Sequence, residues 1–191
     1  QIRIFVEAVH ATKYEIPALL ALCSLRRSEI LALTWDKIDL DAGTILVQGA
    51  IVPDENGKYI HKKENKNRSS RRTVPIMIPQ LKEALAAAPR TSEYVSTMHP
   101  SAILNGINRV CGKAGLPEVG IHGLRHSFAS LAYHLNMPEK IAMQIGGWEN
   151  DTTMKRIYTH VAKSDVSKYQ SIMQTYYQNT NEITNEKSQS L

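Results

Sequence analysis

A histidine and an arginine three residues apart, His122 and Arg125, are the first pair in the sequence that suggests chemistry. On a helix they would share a face, so a proton-transfer group would lie beside a cation whose planar fork of donors suits a phosphate. His126 lies four residues after His122, a spacing that also occurs in zinc sites. The metalloprotease form of that motif needs glutamate where this chain has Gly123, and no third ligand is evident. Zinc is therefore not favoured. Taken alone the segment could equally be structural, and capping or backbone bonding is the better interpretation of His126.

A tryptophan and a tyrosine ten residues apart form the second suggestive pair, Trp148 and Tyr158. Asp151 or Thr152 is a plausible N-cap for a short helix that would carry Tyr158 near its end. A tyrosine hydroxyl can act as a nucleophile and form a covalent intermediate. A lone tyrosine or tryptophan is usually a core or interface residue, so the interpretation depends on the whole set of motifs.

Positive charge is concentrated in one stretch of the chain. The protein has a net charge of +5, whereas residues 58–72 alone contain seven lysines and arginines and one acid, which leaves the other residues close to neutral. A local basic stripe on a near-neutral body suggests contact with a polyanion. A solvated charged loop would have the same composition, and charge alone does not choose between the two.

Hydrophobic periodicity predicts a mainly helical chain with one small sheet. Residues 44–48, 58–61 and 71–76 are β-prone and separated by turn signals, which predicts a three-stranded antiparallel sheet with the basic residues between its second and third strands. Apolar residues at helical spacing predict the helices. These are expected at 1–35, 79–88, 101–114, 122–135, 138–145, 151–158 and 163–178.

Length and composition are those of one globular domain, with 191 residues, 42% of them apolar and 21% charged. No stretch approaches the roughly 20 apolar residues of a membrane span. Cys23 and Cys111 form neither a paired metal-ligand spacing nor a disulfide framework, which favours a reducing, cytoplasmic setting. Because the sequence opens at Gln1 within a helical pattern, we interpret it as part of a longer protein.

Four segments, in order, resemble motifs of the tyrosine recombinases, the family of phage-type integrases. Residues 25–29 look like the first arginine box, in which an acid follows the arginine by three residues. Residues 66–75 resemble the β-hairpin lysine motif that runs into Val-Pro, and residues 122–126 are similar to the second box. Residues 147–158 match the family's spacing from Gly-His or Gly-Trp to tyrosine.

The resemblance implies a catalytic site that breaks and rejoins DNA without a metal ion or nucleotide cofactor. Tyr158 would attack a phosphodiester and form a 3′-phosphotyrosine. Arg26 and Arg125 would bind the non-bridging oxygens, and Lys66 would protonate the departing 5′ oxygen. His122 would accept the tyrosine proton or bind the phosphate.

Other residues are given supporting roles by the same resemblance. Trp148, which stands where many members carry histidine, would donate its indole N–H to the phosphate. Glu29 would support the geometry of the arginine and histidine rather than react. Further basic residues are expected to contact the DNA backbone. These are Arg27, Lys62, Lys63, Arg68 and Arg71.

The resemblance also implies the family's fold, mainly α with a small three-stranded antiparallel sheet, and double-stranded DNA as the partner. We expect a catalytic domain over residues 1–178, a flexible tail over 179–191, and no N-terminal DNA-binding domains in this chain, which would be bacterial or phage-encoded. A homotetramer on DNA is expected, although the isolated domain could be a monomer. The last helix, about 163–178, could pack on a neighbouring protomer or on its own domain.

Three other functions would also fit parts of this sequence. A type IB topoisomerase has similar site chemistry, but the spacing from Trp148 to Tyr158 and the lysine hairpin favour a recombinase. A non-catalytic DNA-binding module of the same fold is disfavoured because all the expected catalytic residues are present. A purely structural helical domain would leave the basic stretch and the ordered motifs without a cause.

Overall fold

The structure is a computed structural model that describes residues 1–62, 71–152, 154–157, 166 and 170–176. Within these ranges the helices are α1 (Ile2–Val9), α2 (Glu15–Leu22), α3 (Arg27–Ala32), α4 (Pro79–Ala87), α5 (Pro100–Lys113), α6 (Ile121–His134) and α7 (Glu139–Gly146). The strands are β1 (Ile38–Asp39), β2 (Thr44–Val47), β3 (Ala50–Pro53), β4 (Tyr59–Lys62) and β5 (Arg72–Pro75), and a 3-10 turn covers Trp35–Lys37. The described residues from 152 to 157, and those from 170 to 176, are also helical.

The prediction of one helical stretch over residues 1–35 was wrong, because the chain turns twice within it. Ala11 has φ of +56° between α1 and α2, where the Glu15 carboxylate accepts its backbone N–H at 2.9 Å. Ser24 has φ of +75° between α2 and α3. Neither break contains glycine or a breaking proline, so the sequence carried no clear signal for either turn. The helices predicted at 79–88, 101–114, 122–135 and 138–145 agree with α4 to α7 within one residue. Those predicted at 151–158 and 163–178 lie partly outside the described residues.

The predicted three-stranded antiparallel sheet is present, but one of its strands differs. Its order is β1-β2-β5, with Ile45 opposite Val74 and Val47 opposite Arg72. Strand β4 belongs instead to a separate hairpin with β3. The cause lies between β2 and β3, where Gly49 has φ of +80° and turns the chain out of the first sheet. The segment that follows then pairs with itself.

Helix α2 lies at the centre of the main core, with seven of its eight residues buried. A helix that is apolar all round belongs inside a domain rather than on its surface. A second cluster of buried residues forms between α6, α7 and the helical segment before residue 158. Met154 in that segment is fully buried, and burial of a methionine contributes about 1.5–3 kcal/mol. Trp148 and Ile157 pack against this second cluster.

Both cysteines are free and buried. Burial raises the pKa of the Cys23 thiol to about 11, so this side chain is an inert core residue rather than a nucleophile. None of the helices in the described ranges has the length and apolar character that crossing a membrane requires.

Candidate active site

A buried carboxylate, Glu29 of α3, is the centre of the site. Only 4% of the residue is exposed, and its two oxygens accept four hydrogen bonds. Arg72 of β5 binds it in bidentate fashion, from Nη1 at 2.8 Å and from Nη2 at 3.0 Å. The Arg26 backbone N–H and Nη1 each donate at 2.7 Å. Burial raises the pKa of the Glu29 carboxyl, but the hydrogen bonds and charges of Arg72 and Arg26 outweigh burial, so the pKa lies below 4.5.

Three guanidinium groups from separate segments of the chain donate to consecutive carbonyl oxygens at the end of α7. The bonds run from Arg72 Nε to Ile145 O at 2.8 Å, from Arg125 Nη2 to Gly146 O at 2.6 Å, and from Arg26 Nη2 to Gly147 O at 2.5 Å. The last carbonyls of a helix have no partner within it and carry partial negative charge. The end of α7 therefore collects and fixes three cations.

The Ser24 carbonyl is a second backbone acceptor for the same groups. Arg125 Nη1 donates to it, and Arg72 Nη2 donates to it at 3.3 Å. Ser24 is fully buried, and its left-handed backbone costs about 1–2 kcal/mol for a residue with a side chain. The strained turn after α2 thus places an acceptor between two buried guanidinium groups.

Trp148 covers Arg125. The guanidinium carbon of Arg125 lies 4.4 Å from the centre of the Trp148 ring, and that ring stacks on Phe128 at 6.1 Å between centroids. A cation over an indole face is stabilised by the ring quadrupole. Burial and the like charge of Arg26 lower the pKa of Arg125 to about 9, because both disfavour another positive charge here. Three guanidinium groups around one carboxylate leave a local excess of positive charge that an anion would relieve.

The three arginines differ in the donors they have left for a ligand. Arginine has five N–H groups, and Arg72 uses four of them on Glu29, Ile145 and Ser24. Its side chain is only 5% exposed. Within the described residues Arg26 and Arg125 each use two donors, and the Arg26 side chain is 33% exposed. Arg26 and Arg125 are thus the two that retain donors for an oxyanion.

Two glycines allow this packing at the end of α7. A Cβ on Gly146 would lie 2.1 Å from the Trp148 ring, so the indole occupies the space of a side chain. Gly147 has φ of +64°, and a Cβ there would lie 2.9 Å from Arg72 Nη1. The Gly-Gly pair is therefore required by the approach of the tryptophan and of the buried arginine.

The two histidines of α6 have different environments. His122 is exposed, whereas Arg125, one turn later on α6, is buried. The prediction that the imidazole lies beside the guanidinium stays a prediction. The backbone hydrogen bond predicted for His126 is not found at its Nδ1, which is buried and has no partner in the described part of the chain. Burial and the charges of Arg156 and Arg125 lower the pKa of His126 below 6.5, which favours a neutral ring at pH 7. Among the described residues no group of three histidines, cysteines or carboxylates is placed to hold a metal ion.

The structure brings together Arg26, Glu29, Arg125 and Trp148 from the predicted set. Arg27 is exposed while Arg26 faces the site, as the motif register predicts. Two other predicted DNA contacts, Lys62 and Arg71, are also exposed. The remaining predictions lie outside the described residues and stay predictions. These are Lys63, Lys66, Arg68 and Tyr158.

The sequence patterns did not single out Arg72, although one signal for it exists. Along β5 the residues alternate, with Arg72 and Val74 buried and Thr73 exposed. Because side chains of a strand point to opposite faces in turn, the apolar Val74 places Arg72 on the inward face. A buried arginine nearly always has a partner, but the sequence does not say which one.

The described residues form a mainly helical domain with a small antiparallel sheet, in which two arginines meet beside a tryptophan, as the resemblance to the tyrosine recombinases predicts. Comparison with known families agrees with that resemblance. Residues 4–165 match the phage integrase family, and the chain belongs to that family. The predicted family and the predicted fold class are both confirmed.

Individual relatives support the same assignment. The tyrosine recombinase XerC-like protein of Caldanaerobacter subterraneus subsp. tengcongensis is 29% identical, over 84% of this chain and 49% of that protein. The prophage integrase IntF of Escherichia coli is 24% identical, over 87% of this chain and 34% of that protein. The chain thus spans about half, or less, of the length of these two relatives.

Solved structures share the fold. The integrase of the Tn1549 transposon, in complex with circular intermediate DNA, superposes with a TM-score of 0.65 at 18% identity, over 88% of this chain and 65% of that one. The XerA recombinase gives a TM-score of 0.63 at 21% identity, over 87% of this chain and 60% of that one. At these identities the likeness concerns the fold.

Proposed function

We propose that this chain is the catalytic domain of a site-specific DNA recombinase or integrase in which Tyr158 is the nucleophile. The tyrosine oxygen attacks a DNA phosphodiester, the bond from phosphorus to the 5′ oxygen breaks, and a 3′-phosphotyrosine and a free 5′-hydroxyl result. Attack by a 5′-hydroxyl on the phosphotyrosine reverses the step. The phosphoester bond is conserved throughout, so the reaction needs neither ATP nor a metal ion.

One observation carries the proposal. Arg26 and Arg125, from separate parts of the sequence, are fixed on the carbonyls of Gly147 and Gly146, directly before Trp148. Phosphoryl transfer depends mainly on positioning and on neutralising charge that develops on the phosphate oxygens. In this proposal Arg26 and Arg125 bind the non-bridging oxygens, and Trp148 donates its indole N–H. Their fixed positions mean that little reorganisation is required during the reaction.

The segment that leads to Tyr158 supports the assignment of the nucleophile. Met154 is fully buried in the cluster that includes Phe128, and Ile157 packs against the same cluster as Trp148. The residues directly before Tyr158 are therefore held next to the proposed phosphate site. The roles of His122 as proton acceptor and of Lys66 as proton donor to the leaving oxygen are proposed from the family resemblance.

A groove of about 530 Å³ between β5 and α7 is proposed to hold the DNA backbone beside the site. Arg71 and Lys140 line its walls, Trp148 lies at one side, and no carboxylate is among the described residues that line it. Such a cationic groove suits consecutive phosphates. The Tn1549 integrase was solved in complex with DNA, which agrees with double-stranded DNA as the partner. Further proposed backbone contacts are Arg27, Lys62, Lys63 and Arg68.

We also propose assembly into a homotetramer on DNA through the last helix. Described residues of that segment leave apolar side chains in solvent, with Val166 61% exposed and Ile172 and Met173 each 52% exposed. Apolar side chains grouped on an exposed helix suit burial against another protomer. Their exposure gives no support to the alternative that these side chains pack on their own domain. Sedimentation with and without duplex DNA would measure the change in oligomeric state.

The test of the catalytic proposal is a covalent trap. A nicked suicide duplex that carries the end sequence of the parent element, incubated with the protein in EDTA, should give a protein–DNA band that survives denaturant. Peptide mapping should place the modification on Tyr158. Tyr158→Phe should abolish the band, whereas Tyr94→Phe, a control far from the motif in sequence, should retain it. A covalent band formed by Tyr158→Phe would contradict the assignment.

The same samples separate the alternative functions. Relaxation of supercoiled plasmid without sequence-dependent strand exchange would indicate a type IB topoisomerase. Duplex binding without any covalent band would indicate a DNA-binding module that has lost catalysis.

A further inference from the structure

We propose that Arg72 is a positioning residue that neutralises Glu29 and so leaves the charge of Arg26 available for the DNA phosphate. This inference rests on the proposed function, because it assigns to Arg72 an effect on the cleavage step. It also differs from the roles given to the basic residues around Arg72, which are proposed to contact DNA directly.

Arg72 has a single N–H group left for a ligand, fewer than Arg26 or Arg125 in the described part of the chain. Four of its five N–H groups are used on Glu29, Ile145 and Ser24. Both Arg72 and its neighbour Arg71 line the groove, but Arg71 is exposed, whereas Arg72 is buried and bonded to Glu29, Ile145 and Ser24. We therefore expect Arg72 to affect the DNA mainly through the residues that it holds.

The connection to Arg26 runs through a shared oxygen. Glu29 Oε1 accepts from Arg26 Nη1 at 2.7 Å and from Arg72 Nη1 at 2.8 Å. Glu29 carries one negative charge and is almost fully buried, so it must be paired. If Arg72 were absent, Arg26 would be the sole charged partner of the carboxylate. The positive charge of Arg26 would then neutralise Glu29 rather than a DNA phosphate. With Arg72 present, the second guanidinium balances the carboxylate.

Arg72 also fixes the position of Arg26 and Trp148. It bonds to the Ile145 carbonyl at 2.8 Å and lies close against Gly147, whose carbonyl accepts from Arg26. Arg72, the first residue of β5, is therefore tied to the helix end that precedes Trp148. This contact joins the sheet to the phosphate site without occupying it.

Arg72→Met is the informative variant, with Arg109→Met as its matched control. In the suicide-duplex assay at saturating DNA, Arg72→Met should lower the single-turnover cleavage rate by about 100-fold, the order seen when one charge-stabilising donor is lost. Its dissociation constant for duplex DNA should stay within about twofold of wild type. Arg109→Met, at an exposed arginine of α5 outside the groove, should change neither the rate nor the dissociation constant. A larger dissociation constant for Arg72→Met with an unchanged cleavage rate would overturn the proposal.

A double variant separates charge neutralisation from a merely structural role. Arg72→Met combined with Glu29→Gln removes the unbalanced carboxylate and keeps an oxygen for Arg26, so the rate should recover at least tenfold over Arg72→Met alone. With both proteins shown by melting to be folded, a double variant no faster than Arg72→Met would overturn the inference, because the unbalanced charge of Glu29 would then not be what slows Arg72→Met.

The outcome also separates this inference from the proposed function. If the wild type forms no covalent complex, the proposed function fails. If the wild type cleaves and Arg72→Met cleaves equally fast, only the role of Arg72 fails. Should melting show that Arg72→Met does not fold, Arg72→Lys replaces it, because lysine keeps the neutralising charge. Its rate should fall by no more than about tenfold, and a loss of 100-fold or more would overturn the inference.

Discussion

Replacement of Glu29 by glutamine should destabilise the protein strongly, and the loss should depend on pH. The carboxylate accepts four hydrogen bonds, two at each oxygen. Glutamine retains one oxygen, so the bonds at Oε1 can survive. Its amide nitrogen would then face two donors, the Arg26 backbone N–H and Arg72 Nη2.

The magnitude follows from the bonds lost. Hydrogen bonds to charged groups contribute about 1.5–3 kcal/mol each, and breaking a buried ion pair costs about 3–5 kcal/mol. With two bonds lost and two buried donors left without acceptors, Glu29→Gln should lower the free energy of unfolding at pH 7 by about 3–5 kcal/mol. For a chain of this size that corresponds to a fall in melting temperature on the order of 10 °C.

The pH dependence has a definite sign. The folded pKa of Glu29 lies below its ordinary value of 4.5, so its stabilisation is complete above 4.5 and is lost as pH falls towards the folded pKa. The difference between wild type and Glu29→Gln should therefore be constant between about pH 6 and 8 and should shrink below pH 4.5. Urea unfolding followed by circular dichroism measures both quantities, with Glu83→Gln, an exposed carboxylate on α4, as control. A loss below about 1 kcal/mol at pH 7, or a difference that does not shrink in acid, would refute the reasoning.

Three further predictions concern the packing and charge of the site. Gly146→Ala should displace the Trp148 ring, which would lie 2.1 Å from the new methyl group, and should therefore slow cleavage and lower the free energy of unfolding by about 1–3 kcal/mol. Gly112→Ala, in open space on α5, should be neutral or stabilising. Equal effects of the two substitutions would contradict the packing. Lys140→Gln should weaken duplex binding and make the plot of log K against log salt concentration shallower by about 0.9. Lys82→Gln, outside the groove, should leave that slope unchanged. An unchanged slope for Lys140→Gln would show that Lys140 does not contact the DNA. Millimolar sulfate should raise the melting temperature more than chloride of equal ionic strength, because a bound anion relieves the repulsion among Arg26, Arg72 and Arg125. Identical shifts in the two salts would count against an anion site.

The sequence alone predicted four of the helices and several residues of the site. Helices α4 to α7 follow from apolar periodicity, since the spacing of buried residues on a helix is a property of the local sequence. Arg26, Arg125 and Trp148 follow from motif spacing, and the structure places them together. Lys66 and Tyr158 lie outside the described residues, so their positions remain predictions from the sequence.

The tertiary structure alone decided how the arginines are held. Periodicity indicates which face of β5 is buried, but not that Arg72 meets Glu29 there. The carbonyls of Ser24 and of residues 145–147 are backbone groups, identical in every residue type, so no sequence pattern can mark them as acceptors. The pairing of β4 likewise depends on the turn at Gly49, since β-prone residues specify a strand but not its partner. Sequence fixes local spacing and chemistry here, whereas partners distant along the chain are set only when the folded backbone brings them together.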